Sequence, residues 1–245
     1  MKKRGQITIF IILALAVIAG LGAFLFLTNE QAQKETVDPQ IAPIFSFVES
    51  CIDSVGEHAI NTIGKGGGYY HVDYGTPNGT TYYFDKQENL IPSKTTIEKE
   101  LGIYVDEFLT ECTNNFSQFS DFTITAKRVN TKVTIREKEV IFTVNYPLTI
   151  EKNENKYQLQ NFREEIPVRL GTIHTAIQEY ANHKDYQIDQ VCLSCLYEIS
   201  QKYELTVDMY DYDEQTILFI ITDDNSIILD EKYIFTFAGK YPPNK

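Results

Sequence analysis

Four cysteines are the residues of this chain best suited to covalent chemistry: Cys51, Cys112, Cys192 and Cys195. Cys192-Leu193-Ser194-Cys195 is a CxxC. A helix capped by Asp189 would carry Cys192 in its first turn, where backbone N–H groups favour a thiolate. Thiol–disulfide oxidoreductases activate a leading cysteine in this way. The same spacing suits a local structural disulfide. The context favours the structural role: redox sites of that kind follow a strand in a βαβ unit, whereas a helix-like segment precedes this pair. Both sulfurs also fall on the apolar face with Ile188 and Ile199. Cys192 and Cys195 are therefore read first as a short-range bridge and second as redox candidates.

Cys51 and Cys112 form the other candidate pair. Each lies on the apolar stripe of a predicted helix, and each follows a phenylalanine by one turn (Phe47 and Phe108). Two such stripes packed together turn the thiols inward. A bridge would close a loop of roughly 60 residues and contribute ~3–4 kcal/mol by loop entropy. Buried free thiols are the alternative. An even cysteine number favours disulfides where the compartment is oxidising.

Other constellations carry less. His174 and His183 with the CxxC give the order His-x8-His-x8-Cys-x2-Cys, which matches no standard zinc spacing. No HExxH and no GxSxG occurs. Gly64-Lys65-Gly66-Gly67-Gly68 lacks the Ser or Thr that a phosphate loop needs after its lysine, and reads as a helix terminator. Asp211, Asp213 and Glu214 lack the twelve-residue calcium-loop pattern and read as a hairpin turn. The expectation is no metal and no cofactor.

The elements that must position these residues follow from periodicity. Ile41, Ile44, Val48, Cys51, Val55, Ala59 and Ile63 make one helical stripe that ends at the glycines. Tyr69–Tyr74 and Thr80–Phe84, around Pro77-Asn78-Gly79, read as a β-hairpin. A second helix is expected from Thr95 with Glu98 closing a capping box, and a stripe of Ile97, Leu101, Tyr104, Phe108, Cys112, Phe116 and Phe119. Strands follow at 122–129, 131–136, 140–146, 148–151 and 157–166, with a turn at Asn153-Glu154-Asn155. A third helix carries Leu170, Ile173, Ile177 and Tyr180, and a fourth carries Ile188, Cys192, Cys195 and Ile199. Strands at 203–210, 216–222 and 232–237 make a meander with turns at 211–214 and 223–226. Helices and strands come in segregated runs, so the fold class is α+β with mainly antiparallel sheets.

Ahead of all this lies Ile7 to Leu27, with no charged side chain, preceded by Lys2, Lys3 and Arg4. A bilayer core ~30 Å thick needs ~20 apolar residues. The flanking segment 28–40 is polar and on balance acidic, so the positive-inside rule leaves the N-terminus cytoplasmic and exports the rest. A cleaved secretory signal is the alternative, but its apolar region is shorter and ends at small residues. The expected organisation is a basic tip (1–6), a transmembrane helix (7–27), a stalk (28–40) and an ectodomain in two parts (41–165 and 166–245).

Arg4-Gly5-Gln6 followed directly by an apolar helix resembles the class III signal of archaeal type IV pilins and archaellins. The resemblance covers about 25 residues. It implies cleavage between Gly5 and Gln6, with the helix retained and packed into a filament core. Thr8 suits the small hydroxyl position after the cut. Phe10 stands where many members of that family carry a glutamate linked to assembly. The same N-terminus resembles many single-span archaeal membrane proteins.

The net charge of −12 leaves no basic face for nucleic acid. Asn78-Gly79-Thr80 and Asn115-Phe116-Ser117 are glycosylation sequons, facing the right compartment if the chain is exported. The expected partners are the lipid bilayer and other envelope or pilus proteins. The leading expectation is a non-enzymatic, single-pass surface protein acting by contact, pilin-like in one form. An anchored thiol–disulfide oxidoreductase and a solute-binding ectodomain using the tyrosine-rich strands are the alternatives.

Overall fold

Two pairs of helices joined to two sheets build the folded unit, Pro39–Lys245. The computed structural model describes residues 37–72, 76–85, 88–183 and 190–241. The basic tip, the apolar run at 7–27 and the Gly5-Gln6 pair lie outside the described residues. Among the described residues, no helix is long and apolar enough to cross a membrane.

α1 (Ala42–Lys65) carries a proline in its first turn, where the missing N–H costs nothing. It buries Ile44, Val48, Cys51, Val55, Ala59 and Ile63, the stripe expected from spacing, and Ile52 and Ile60 widen it. Gly67 and Gly68 take φ of +70° and +89° and let the chain turn sharply off the helix end. α2 (Lys94–Thr113) starts one residue before the expected place and is capped by Ser93, whose hydroxyl accepts from the Thr96 N–H at 3.1 Å. Glu98 closes no capping box; its carboxylate accepts the Ile135 N–H at 2.9 Å instead. The buried row is Ile97, Leu101, Val105, Leu109 and Thr113. Tyr104, Phe108 and Cys112 sit half-buried on the flank, where Tyr70 packs 5.0 Å from Tyr104. Aliphatic and aromatic rows run at the same helical spacing, and the smaller aliphatic side chains fit the tight seam.

One sheet is antiparallel throughout. β5 (Val140–Lys152) is its central strand, with β6 (Asn155–Ile166) on one side and both β3 (Thr123–Ala126) and β4 (Asn130–Ile135) on the other. The two strands expected at 140–146 and 148–151 are one, with a register shift between Asn145 and Leu148 that accommodates Pro147.

The other sheet has the order β2-β1-β9-β8-β7, from Tyr82–Asp85 (β1), Glu88–Asn89 (β2), Thr206–Asp211 (β7), Thr216–Ile228 (β8) and Glu231–Lys240 (β9). β1 pairs with β2 and runs parallel to β9, so the expected hairpin of 69–74 with 80–84 does not form; Tyr69 to Val72 are no strand. The Tyr70 N–H goes instead to the Glu100 carboxylate at 3.0 Å, and its ring covers α2. β8 runs straight through 223–226, where a turn was expected. The register shifts there as a bulge, and the turn falls at Leu229-Asp230, both with positive φ. The sheet thus joins strands from 41–165 with strands from 166–245.

α1 packs on α2 and reaches both sheets, through Phe45 stacked on Phe162 (5.2 Å) and through the Tyr233 hydroxyl donated to the Ile60 carbonyl. α3 (Leu170–Ala181) and α4 (Leu193–Tyr203) pack together as a second pair. α3 starts hard against the β4–β5 turn. A Cβ on Gly171 would lie 2.2 Å from the Arg136 carbonyl oxygen, a backbone atom with nowhere to go. Gly171→Ala is expected to cost about 1–3 kcal/mol as overpacking, read as a lowered urea midpoint with an unchanged m-value.

Candidate functional site

The second helix pair presents the chemistry. α4 begins later than its expected Asp189 cap, which lies with Ile188 outside the described residues. Cys192 is itself the N-cap, its Sγ accepting the Cys195 N–H at 3.3 Å. Cys192 and Cys195 are joined by a disulfide. The sequence places both sulfurs on the apolar face, but only Cys195 is fully buried, and Cys192 is half-exposed. A helix of 3.6 residues per turn sets a cap and its third successor on one side, but the cap residue stands clear of the packed turn.

Beneath this end lies Tyr180 of α3. Burial pushes its hydroxyl up to about 12, against hydrogen bonds from the Cys192 backbone and Tyr241, so it stays neutral. Beside it opens a groove of about 700 Å³. Val191 and Leu193, the neighbours of Cys192 on either side, form one wall, and Met209, Ile217 and Tyr241 add further apolar surface. Leu193 is 63% exposed, a high value for a leucine in a folded helix. Asp211, Asp213 and Glu214 line the remainder. Asp213 is held below the usual carboxylate range chiefly by the Gln215 N–H, which it accepts at 2.8 Å, and so is firmly ionised. It caps the β7–β8 turn, as a hairpin reading of 211–214 requires, accepting the Gln215 and Thr216 N–H groups.

The first helix pair holds the other bridge. Cys51 and Cys112 are disulfide-bonded with Cα atoms 5.8 Å apart, tying α1 to α2. Phe47 packs edge-on against Phe116 and Phe119, at 6.3 and 5.6 Å, and shields that end of the seam.

His174 is buried, and its Nε2 lies 2.8 Å from the Pro92 carbonyl, to which the ring N–H donates. Burial lowers its pKa, so the ring is neutral. His183 pairs with Glu198 at 3.2 Å. Among the described residues, no group of three His, Cys, Asp or Glu is arranged to hold a metal ion. Gly64 to Gly68 serve the end of α1. Asn78 and Asn115 are both exposed, each on a left-handed turn with φ of 52° and 50°.

Two parts of the molecule had no signal in the sequence. The groove draws on 190–193, β7, β8 and Tyr241, which no sequence pattern brings together. The second is Arg169, whose Nε lies 3.0 and 3.1 Å from the two oxygens of fully buried Asp223, with Ser226 donating to the same carboxylate. Comparison with protein-family models, with curated proteins and with solved structures finds no match, so site geometry and chain chemistry alone carry the functional argument.

Proposed function

We propose that this chain is a single-span, archaeal-type membrane protein whose α+β ectodomain stands outside the cytoplasm and acts by contact with other envelope components. The observation that carries this reading is the state of the cysteines: all four are taken up in Cys51–Cys112 and Cys192–Cys195. Disulfides persist in exported proteins and are rare in a reducing cytosol. The apolar run Ile7–Leu27 behind a basic tip supplies the anchor and the orientation. Tyr197, Tyr210 and Tyr212, at 67%, 58% and 54% exposure, give the ectodomain the aromatic surface that contact sites favour.

The test is fractionation followed by protease treatment of intact cells stripped of any outer coat. The full chain is expected in the membrane fraction, with 41–245 digested from outside and the lipid-embedded helix left behind. A chain recovered intact from the soluble fraction, or one sheltered from the protease, overturns the reading. N-terminal sequencing of the membrane form separates its two versions: a chain starting at Gln6 supports the pilin-like one, and retained Met1 to Gly5 supports the plain anchor.

A further inference from the structure

We infer that Cys192–Cys195 is a thiol–disulfide exchange site for extended, basic peptide segments that carry cysteine. The inference rests on the exported placement for its compartment but not for its chemistry, so the two stand or fall by different measurements.

Three features coincide at one place. Cys192 is half-exposed while Cys195 is fully buried, so an incoming thiolate meets one sulfur and not the other. Cys192 Sγ already accepts the Cys195 N–H at the start of an eleven-residue helix, which favours a thiolate on that atom. The groove begins at the residues on either side of Cys192 and gives a polypeptide somewhere to lie. A purely structural bridge needs none of these. Cys51–Cys112 shares the first feature but not the other two: Cys51 lies in mid-helix and Cys112 in the last turn of α2, where no free N–H groups favour a thiolate, and neither residue nor its immediate neighbours line any of the grooves described.

The groove also selects its occupant. Its apolar wall, with Leu193, Met209 and Ile217, takes the side chains of an extended segment, and Asp211, ionised Asp213 and Glu214 draw cationic ones. A second copy of this chain fits poorly. Its own β7 edge carries Asp208 and Asp211, and two such edges laid side by side oppose like charges.

The chemistry balances without an added oxidant. A client thiolate attacks Cys192 Sγ; a client–Cys192 disulfide forms, the Cys192–Cys195 bond breaks, and Cys195 leaves as thiolate and takes up a proton. A second client thiolate then attacks the client sulfur of the mixed disulfide. The client disulfide forms, and Cys192 leaves as the thiolate that the helix end stabilises. Two electrons pass from client to protein per cycle, and the protein ends as a dithiol. Stabilising that reduced form makes the disulfide the oxidising partner.

The test uses full-length protein in detergent and a synthetic lysine-rich peptide with two cysteines. Alkylation and peptide mapping should show Cys192–Cys195 opened by one equivalent of reduced peptide while Cys51–Cys112 stays closed. The rate should exceed that of the free hexapeptide Val191–Leu196, in its own disulfide form, by at least about tenfold if pre-organisation acts. Cys195→Ser, loaded as a mixed disulfide with a small thiol, should capture a single-cysteine version of the peptide on Cys192, because that version lacks the second thiol that would release it. Asp211→Lys with Glu214→Lys should slow the reaction of the lysine-rich peptide about tenfold and that of a neutral peptide less than about twofold, since only long-range attraction changes. Asp213 is left alone because it caps the turn. A rate no higher than that of the free hexapeptide, or opening of both disulfides at the same peptide concentration, overturns the inference. Neither result bears on where the chain resides, and a soluble, sheltered chain would leave the exchange rates standing.

Discussion

Cys51→Ser is expected to lower the free energy of unfolding by about 4 kcal/mol, the largest loss from any single sulfur in this protein. The bridge spans 61 residues and closes a loop that holds the end of α1, β1, β2 and most of α2. Opening it returns that loop entropy to the unfolded chain. Cys51 is also buried at 3% exposure, so a serine hydroxyl there must find a partner or remain unsatisfied. Cys192→Ser with Cys195→Ser removes a loop of only three residues in sequence separation and should cost about half as much or less. Non-reducing urea unfolding of the two variants checks the order. Equal losses would overturn the loop-entropy account of the Cys51–Cys112 bridge.

Arg169→Leu should cost about 3–5 kcal/mol, because it leaves a buried charge without its partner. Asp223 is fully buried in the bulge of β8. Burial by itself would raise its pKa, but hydrogen bonds from Arg169, Ser226 and the Asn225 N–H outweigh it and hold the carboxyl below its usual range. Arg169 also donates to the Tyr203 and Glu204 carbonyls at 3.2 and 3.1 Å, so one guanidinium ties the start of α3, the bulge and the end of α4. The sign of the pH dependence follows. In the wild type the folded pKa lies below the unfolded value of ~3.9, so the stabilisation is complete above ~pH 4 and is lost as acid takes the pH through the folded value. In Arg169→Leu, burial dominates and the folded pKa rises above the unfolded one. That variant should therefore lose stability as pH rises through the raised value, the reverse of the wild type. Urea midpoints between pH 3 and pH 7 read the difference. Adding Asp223→Asn to the variant should restore much of the loss, since a neutral amide is cheaper to bury. A wild-type-like pH profile in Arg169→Leu would show that Asp223 does not depend on this partner.

The acidic groove and the CxxC illustrate how the two levels of information divide. Two cysteines three apart make a local bridge the first expectation from the sequence, because a helix turn sets their reach whatever surrounds it. Which sulfur meets solvent is a different matter. The expected helix started too early, and the cap is Cys192, whose Sγ accepts the Cys195 N–H. In the same way Asp223-Asp224-Asn225-Ser226 has every local mark of a turn, and Arg169, 54 residues away, makes it a bulge inside a strand.

The sequence by itself determined the α+β class and the α1 stripe, and it raised two cysteine pairings and an apolar anchor behind a basic tip as expectations. These depend on periodicity, spacing and composition, which are local properties that survive any arrangement of the rest. Only the tertiary structure decided that β1 joins β9 in parallel, that the aliphatic rather than the aromatic row of α2 faces inward, that Asp223 is buried, and that a groove opens beside Cys192. Each of these turns on residues distant in the chain competing for the same surface, and the winner is set by packing and by hydrogen bonds that no short window of sequence contains.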